Sequence, residues 1–503
     1  MTATADRVAS VMERYEAVIG IEIHCQLRTA SKMFCSCSTA YADATPNTHT
    51  CPVCLALPGS LPVINRRAVE LVIAAGLAIE ATIPERTQWE RKNYFYPDLP
   101  KGYQISQYAI PLAAHGRLAI ETSDGPFTVP ITRAHLEEDT AKLVHADSAR
   151  GGTGGAEAGR TSLVDFNRSG APLMEIVTDP EIRTAEQARR YAEELQMVLR
   201  AIGASDADME RGQMRVEANI SLRPRGTEAF GTRVEVKNMN SFRAVERAIA
   251  YEIERQAAAL DAGEPLAMET RGWDDGRQAT YRMRAKETSE DYRYLPDPDL
   301  PPLHVEPAWI ERVRDALPEL PAARRARYEA MGITAYDAAV LVADPGMTTA
   351  FEVISAAGPA VPAKEVTNFV TGVHARVAKA SGYNAAGTAG ASSPAGIAEL
   401  LGAIARGSIS RQVGRELLER HLADGTPAAG LLASAGPRPI SDDEALLAHI
   451  DAVLAANPKA VADYRAGKPV AGYFTGQVMK ATGGAADAAR VTALVRGRLD
   501  GEG

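Results

Sequence analysis

Long apolar runs are missing from this sequence of 503 residues. No segment approaches the ~20 apolar residues that a membrane-spanning helix needs. The first residues, MTATADRVASVMERYEAV, are charged and lack an apolar core, so they do not form a secretory signal. We therefore expect a cytoplasmic protein. Hydrophobic residues make up 46% of the chain and charged residues 24%, which is typical of a globular protein with a sizeable core.

An excess of basic residues is also lacking, since the formal net charge is −9. Nucleic-acid binders are usually basic, because neutralising phosphates drives their binding. Any nucleic-acid contact must therefore come from local basic patches or from a partner protein. The sequence contains no GxxxxGK[ST] phosphate loop, no G-x-S-x-G elbow and no H-E-x-x-H zinc motif. If the chain uses ATP, it does so without a standard phosphate cradle.

Cysteine is scarce, with five residues, but four of the five are clustered. Cys35 and Cys37 are followed, after thirteen residues, by Cys51 and Cys54. Two short pairs separated by a loop can bring four thiolates around one tetrahedral zinc ion, and a closed shell of this kind is structural. Buried thiols and redox-active cysteines are the alternatives. Cys25 is interpreted as a small core residue.

The first ~300 residues show the alternation of an α+β domain. Strand candidates are Val18–Leu27, Phe127–Arg133, Met174–Thr178, Met214–Leu222 and Thr232–Lys237. Thr184 and Gln187 form a capping box before one predicted helix, and a second helix should follow Ser241. The segment Gly151–Gly159 is interpreted as a surface insertion.

A proline-dense stretch, 295–302, predicts the end of this domain, because proline stops both helix and sheet. The chain then becomes rich in Ala and Leu and should be helical. Residues 381–396 are predicted to be a flexible loop, and Ser441 with Glu444 should cap the first helix of a last unit. We predict three domains: 1–303, 304–438 and 439–503.

Three predicted strands carry polar side chains opposite an apolar face, since residues two apart share a face. These polar side chains are Glu22 and His24, then Glu217 and Asn219, then Glu235 and Lys237. The last two strands should form a hairpin, which would make their polar faces neighbours. A solvated sheet face is the ordinary explanation for one such strand. Three of them with these residue types favour a site.

A run of three acids adds to this pattern at Glu137, Glu138 and Asp139, next to His135. Clustered carboxylates repel one another unless a cation offsets the charge, and they suit Mg²⁺ bound with nucleotide phosphates. The aromatic segment from Lys92 to Asp98 is either an ordered loop or the wall of a pocket.

Eight blocks of the sequence resemble the B subunit of the Glu-tRNA(Gln)/Asp-tRNA(Asn) amidotransferase. They are GIEIHCQL, NTHTCPVCLALPGSLPV, RKNYFYPDLPKGYQISQY, ITRAHLEEDTAK, DFNRSGAPLMEIVTDPEI, TRVEVKNMNSFRA, DYRYLPDPDLPPL and GYFTGQVMKAT. They occur in order over nearly the whole chain. The resemblance implies a cradle-like catalytic domain followed by an all-helical domain and a small helical tail domain.

The same resemblance implies a division of labour in a heterotrimer. An amidase-type glutaminase, the A subunit, releases ammonia, and a small third protein, the C subunit, holds the pair together. The resemblance implies that the B subunit binds the misacylated tRNA. It would then activate the side-chain carboxylate of the attached amino acid with ATP and Mg²⁺. The resulting acyl phosphate then reacts with ammonia, because phosphate is a better leaving group than hydroxide.

The resemblance also assigns roles by position. The catalytic set is Glu22, His24, Glu137, Glu138, Glu217, Asn219, Glu235, Lys237 and Asn238. Among these, Glu22, His24, Glu138 and Glu217 are the expected magnesium ligands. Lys92, Asn93 and Tyr96 should contact the cofactor where the ammonia path meets the active site. The block RVEANIS departs from the family, which more often has Cys and Asp at Val216 and Glu217. The extra methylene of Glu217 should move its carboxylate by about 1 Å or more, a shift that catalytic geometry can feel.

The chain after Asn457 holds seven basic and four acidic residues, and the family's tail domain contacts the tRNA. A solvated helix surface has a similar composition. Two further functions compete with catalysis. One is a non-catalytic, zinc-stabilised tRNA-binding scaffold of the same complex, and the other is a free-standing metalloenzyme that acts on a small molecule.

Overall fold

An eight-stranded sheet organises the first of two units in the computed structural model. The units are residues 1–321 and 322–503. The structure describes residues 2–145, 162–285, 292–383, 387–435, 442–468, 470–483, 486 and 488–501. The predicted insertion Gly151–Gly159 lies outside the described residues.

The strands of the first unit form the large sheet and three small ones. Their bounds are β1 Tyr15–Gln26, β2 Arg86–Thr87, β3 Glu90–Asn93, β4 Tyr103–Ser106, β5 Ala113–Thr122, β6 Gly125–Glu138, β7 Lys142–His145, β8 Ser162–Asp165, β9 Pro172–Thr178, β10 Met214–Pro224, β11 Val234–Met239, β12 Glu269–Asp274, β13 Ala279–Ala285, β14 Leu295–Pro296 and β15 Leu303–His304. The large sheet has the order β13-β12-β11-β10-β1-β9-β6-β5. Neighbouring strands are antiparallel except β11 and β12, which are parallel.

Helices of the first unit cover the apolar face of this sheet. They are α1 Thr2–Arg14, α2 Arg66–Ala78, α3 Ala185–Ala201 and α4 Phe242–Asp261. A fifth helix, α5 Pro307–Asp315, packs against α2. Ile21 and Ile23 of β1 share one buried core with Leu195 of α3 and Val245 of α4. Burying this face leaves the opposite face of the sheet for polar side chains.

The second unit is helical in its described residues. Its elements are α6 Pro321–Ala330, α7 Ala335–Ala343, α8 Pro345–Ala357, α9 Ala363–Phe369, a π-helical turn Val370–His374, α10 Ala375–Ser381, α11 Pro394–Ala405, α12 Arg411–Asp424, α13 Ala428–Ser434, α14 Asp443–Ala456, α15 Pro458–Arg465, α16 Ala471–Ala481 and α17 Ala488–Asp500. Within the described part of the chain, no single helix is long and apolar enough to cross a membrane. Helices α7 and α8 reach the required length and apolar character only when they are taken together, and the chain bends by 113° between them.

The predicted fold class is confirmed: a mixed sheet-and-helix region precedes a helical one. Each strand candidate is found, and β10 and β11 are antiparallel neighbours as predicted. The Thr184 capping box and the Ser241 cap are both present. The three domain boundaries stay predictions, although buried side chains of the second unit form two separate clusters, at 328–431 and 446–499.

Two local predictions need correction. Residues 381–396 are not one flexible loop in their described part, because Thr388 and Ala389 are fully buried and Pro394 already begins α11. Small residues are needed there for close packing rather than for mobility. Helix α14 is capped by Asp442, whose carboxylate accepts from the backbone N–H groups of Glu444 and Ala445. Ser441, the predicted cap, lies outside the described residues.

Candidate active site

The polar face of the large sheet gathers side chains from strands that are distant in sequence. The ladder pairs His24 of β1 with Glu175 of β9, and Glu175 in turn with His135 of β6. On the other side of β1, Glu22 pairs with Glu217 of β10. Directly opposite residues of antiparallel strands lie on the same face, so these groups meet in one cleft.

His24 lies at the centre of an acidic cluster. Its Nε2 is 3.3 Å from a Glu175 oxygen, 3.5 Å from Glu137 and 3.6 Å from Glu22. On the far side, Nε2 of His135 is 3.6 Å from the same Glu175 oxygen. The possible ligand atoms of Glu22, His24 and Glu175 lie within 4.8 Å of one another, as do those of His135, Glu137 and Glu175. Glu175 belongs to both groups and therefore links them.

Burial and mutual charge shift the protonation of these groups. Burial and the charge of Glu175 raise the pKa of Glu22 to about 7. Burial alone would lower the pKa of His24, but its hydrogen bond to Glu175 and the surrounding carboxylates raise the pKa to about 9. Burial lowers the pKa of His135 to about 4, so this imidazole stays neutral. The cluster thus combines several carboxyl groups with a protonated imidazole at His24 and a neutral one at His135.

Basic side chains line the remaining wall of the cleft. Burial opposes the charge of Lys92, but Glu137 and Glu175 hold its pKa well above the usual value. Lys237 donates to Glu217 at 2.6 Å. Arg215 donates to the buried carboxylate of Asp139 at 3.1 Å. Fixed cations beside an acidic cluster suit a ligand that carries both phosphates and a metal ion.

The cleft has a volume of about 370 Å³, and tyrosines form part of its wall. The rings of Tyr108 and Tyr294 stack at 4.5 Å, and Nζ of Lys92 lies 5.2 Å from the ring centre of Tyr292. Tyr292 and Tyr294 come from the chain just before the proline-dense stretch, which returns to the cleft through β14, paired with β3.

Seven predicted site residues line this cleft: Glu22, His24, Lys92, Glu137, Glu217, Glu235 and Lys237. Glu138 does not, because neighbouring residues of a strand face opposite sides. Its Oε1 accepts from the backbone N–H of Ile105 at 3.0 Å and lies 2.6 Å from Nζ of Lys101. It lines a second cavity of about 240 Å³, beside Cys54. The expectation that Glu138 shares a metal with Glu22 is therefore not supported by its position.

The predicted amide and tyrosine residues lie around the cleft rather than in its lining. Asn93 donates to the carbonyl oxygen of Arg293 at 2.8 Å. Asn219 is paired with Glu235 across the ladder. Asn238 is exposed, with φ of 64°, and donates to the hydroxyl of Tyr281. Tyr96 is 51% exposed and lines a separate surface pocket.

Glu175 is the main residue that the sequence reasoning missed. It stands alone among apolar residues in the strand PLMEIVT, and it is buried. A signal was available, since an isolated acid within an apolar strand is unfavourable unless it is paired. Burial opposes its charge, but His135, His24 and Lys92 hold the pKa of Glu175 well below the usual value.

The four clustered cysteines converge as predicted. Their sulfur atoms lie within 4.8 Å of one another, and Sγ of Cys51 is 3.8 Å from Sγ of Cys54. Four ligands at about 2.3 Å from a zinc ion, arranged as a tetrahedron, lie about 3.8 Å apart. The hydrogen bond from Cys35 lowers the pKa of Cys54 to about 4. Cys25 is a buried core residue, as expected.

Comparison with known proteins identifies the class to which this architecture belongs. Residues 17–311 match the model of the GatB/GatE catalytic domain, and residues 349–499 match that of the GatB domain. Three relatives each carry the name of the B subunit of aspartyl/glutamyl-tRNA(Asn/Gln) amidotransferase. The relative from Roseiflexus sp. is 49% identical over 94% of this chain and 96% of its own length. The relative from Moorella thermoacetica is 48% identical over 96% of this chain and 100% of its own length. The relative from Picosynechococcus sp. is 47% identical over 97% of this chain and 98% of its own length.

The chain therefore belongs to the B-subunit family of these amidotransferases, and it is a subunit of a tRNA-dependent amidotransferase, which is a ligase. The family implies the use of ATP.

Proposed function

We propose that the cleft on the polar face of the sheet activates the side-chain carboxylate of Glu-tRNA(Gln), Asp-tRNA(Asn) or both. The carboxylate attacks the γ-phosphorus of ATP and becomes an acyl phosphate, and ADP leaves. Ammonia then displaces phosphate and forms the amide. The observation that carries this proposal is the convergence of Glu22, His24, Glu137 and Glu175 with Lys92 in one cleft.

The acidic cluster fits a divalent cation such as Mg²⁺. Carboxylates at this spacing repel one another, which contributes to the raised pKa of Glu22, and a hard cation relieves that repulsion. Glu22 and Glu175 offer oxygen ligands beside His24 in one group, and Glu137 and Glu175 offer them beside His135 in the other, so Glu175 is the carboxylate common to both. The assignment of His24 as a magnesium ligand stays a prediction. When bound, the ion neutralises charge on the phosphoryl oxygens.

The cations of the wall position the phosphates and the substrate carboxylate. Lys92 is held among the acids and lines the cleft, while Glu217 fixes Lys237 at 2.6 Å. Phosphoryl transfer depends largely on such positioning and on charge neutralisation. This arrangement gives Glu217 a role in orienting Lys237. Its assignment as a magnesium ligand, and the roles of Asn93, Tyr96, Asn219 and Asn238, stay predictions.

The proposed partners are those that the resemblance to the B-subunit family implies. The ammonia comes from an amidase-type glutaminase, the A subunit, and the small C subunit makes the complex a heterotrimer. A sheltered path is needed because free ammonia is protonated in water. The misacylated tRNA is the substrate. Basic residues of the tail domain contact it, although Arg490 and Arg498 are already paired with Asp443 and Asp451. The place of action is the cytoplasm.

We further propose that the four cysteines hold one structural zinc ion. The spacing of the sulfur atoms fits a closed tetrahedral shell. Such a shell leaves no open position for substrate, so the ion stabilises the loop between β1 and α2.

The test uses Glu175→Gln in the assembled heterotrimer. Cleavage of ATP that depends on Glu-tRNA(Gln) should fall by about 100-fold or more, because the variant removes charge from both ligand groups. Glu121→Gln, an exposed position on β5 of the same sheet, should behave as the unaltered protein. Normal ATP cleavage by Glu175→Gln would instead support the non-catalytic scaffold. Amide formation from glutamine by the isolated chain would support the free-standing metalloenzyme.

A further inference from the structure

Lys32 lies inside the first unit with its charge away from solvent. Its side chain is fully buried. The ammonium donates to the carbonyl oxygens of His49, at 2.8 Å, and Phe166, at 3.3 Å. Among the described residues, no carboxylate oxygen lies within 4.0 Å of Nζ of Lys32, the distance that defines an ion pair. An ammonium buried against neutral carbonyls is unfavourable unless negative charge lies close by.

The four-cysteine cluster borders the same space. A β-carbon placed on Gly170 would lie 3.5 Å from Cβ of Cys54 and 3.7 Å from Cδ of Lys32. Gly170 has φ of +81°, and its carbonyl accepts from the backbone N–H of Met33 at 2.8 Å. His49, which accepts from the ammonium, belongs to the segment that joins the two cysteine pairs. The lysine is therefore anchored to the metal-binding loop itself.

The carboxylate of Glu138 also borders this space, but its charge is offset by Lys101. Oε2 of Glu138 would lie 3.8 Å from the same β-carbon on Gly170. Its Oε1, however, is 2.6 Å from Nζ of Lys101, and it also accepts from the backbone N–H of Ile105. Since Lys101 already offsets the charge of Glu138, Lys32 needs another counter-charge.

We propose that Lys32 is the internal counter-cation of the four-cysteine centre, a role that rests on the zinc site proposed above. Four thiolates around one Zn²⁺ carry two net negative charges. The buried ammonium of Lys32 offsets one of these two negative charges within the protein. Zinc binding and the burial of this charge then stabilise each other, because each supplies the charge that the other lacks.

A purely mechanical role makes different predictions. In that case Lys32 would only connect the carbonyl oxygens of His49 and Phe166, whether or not the metal is bound. Lys32→Met removes the charge and both hydrogen bonds but keeps an apolar stem. Lys32→Gln also removes the charge but keeps a hydrogen-bond donor, so the pair of variants separates charge from hydrogen bonding.

The experiment measures zinc affinity and thermal unfolding of the full chain. Zinc content is determined first, then the zinc dissociation constant by competition with a chromophoric chelator, then Tm with zinc bound and after its removal. Both variants should bind zinc about 10–100-fold more weakly, the usual effect of losing a partner around a metal site. Both should also raise the Tm of the zinc-free protein, because an unbalanced buried charge is gone. Lys142→Met, at an exposed position on β7, serves as the control and should change zinc affinity by less than about twofold.

The outcomes separate the two proposals. Unaltered zinc affinity in a folded Lys32→Met or Lys32→Gln protein, with Tm lowered equally in both states, would overturn the role of Lys32 and leave the zinc site standing. Native protein that contains no zinc and binds none would overturn the zinc site, and the counter-cation role with it. If Lys32→Met does not fold even with zinc, Lys32→Gln decides the question.

Discussion

Acidification should destabilise the second unit through His374. This residue is fully buried between the rings of Phe369 and Tyr383, with centroid distances of 5.5 and 5.4 Å. Its Nε2 accepts from the backbone N–H of Ala389 at 3.1 Å, so the proton is on Nδ1, which has no hydrogen-bond partner among the described residues. Protonation of Nε2 would place a new N–H of the imidazole against the backbone N–H of Ala389, so that two donors would face each other. Burial lowers the pKa of His374 from 6.5 to about 4.

The magnitude follows from this difference in pKa. The unfolded chain binds the proton below pH ~6.5, whereas the folded chain binds it only near pH ~4. The stability contributed by the neutral imidazole is therefore present above pH ~6.5 and is lost as the pH falls towards ~4. At pH 5 the loss is about 2 kcal/mol, and its limit at lower pH is about 3 kcal/mol.

Hydrogen exchange in peptides from residues 363–434, corrected for intrinsic rates, measures this effect in the full chain. His374→Gln keeps an acceptor that does not titrate, so it should flatten the profile between pH 7 and 5. The variant should also lose about 1–2 kcal/mol at pH 7, because a smaller side chain leaves a cavity. His115→Gln, at an exposed position on β5, should retain the original slope. An unaltered pH profile in His374→Gln would refute the reasoning.

Three further predictions concern the metal centre, the two adjacent acids and a helix cap. The purified chain should contain about one zinc ion, and Cys35→Ser with Cys54→Ser should lose both the ion and thermal stability while ATP cleavage in the folded heterotrimer persists. Glu137→Gln should abolish tRNA-dependent ATP cleavage, whereas Glu138→Gln should retain most of it, because only Glu137 faces the cleft; equal losses would contradict this geometry. Thr184→Ala should lower the free energy of unfolding by about 1 kcal/mol in urea titration, since it removes one half of a capping box.

Much of the local structure was predictable from the sequence. The alternation in β1 and β10 identified the faces that carry Glu22 and Glu217, and the capping box located the start of α3. The spacing of the cysteines predicted their convergence, because two pairs joined by a short loop can close on one point. These inferences succeed because they depend on residues close together in the chain.

The tertiary structure decided which residues line the cleft. Alternation assigns a residue to a face, but it does not say which strand lies beside which. Strand β1 lies between β9 and β10, more than a hundred residues away in sequence, and this order brings Glu175 next to His24. The same order places β6 beside β9 and so admits Glu137, while alternation along β6 turns Glu138 towards the cysteine loop. The sequence by itself determined the elements and the metal-binding loop, whereas the acids that share a cation were determined by strand order, which arises from long-range packing.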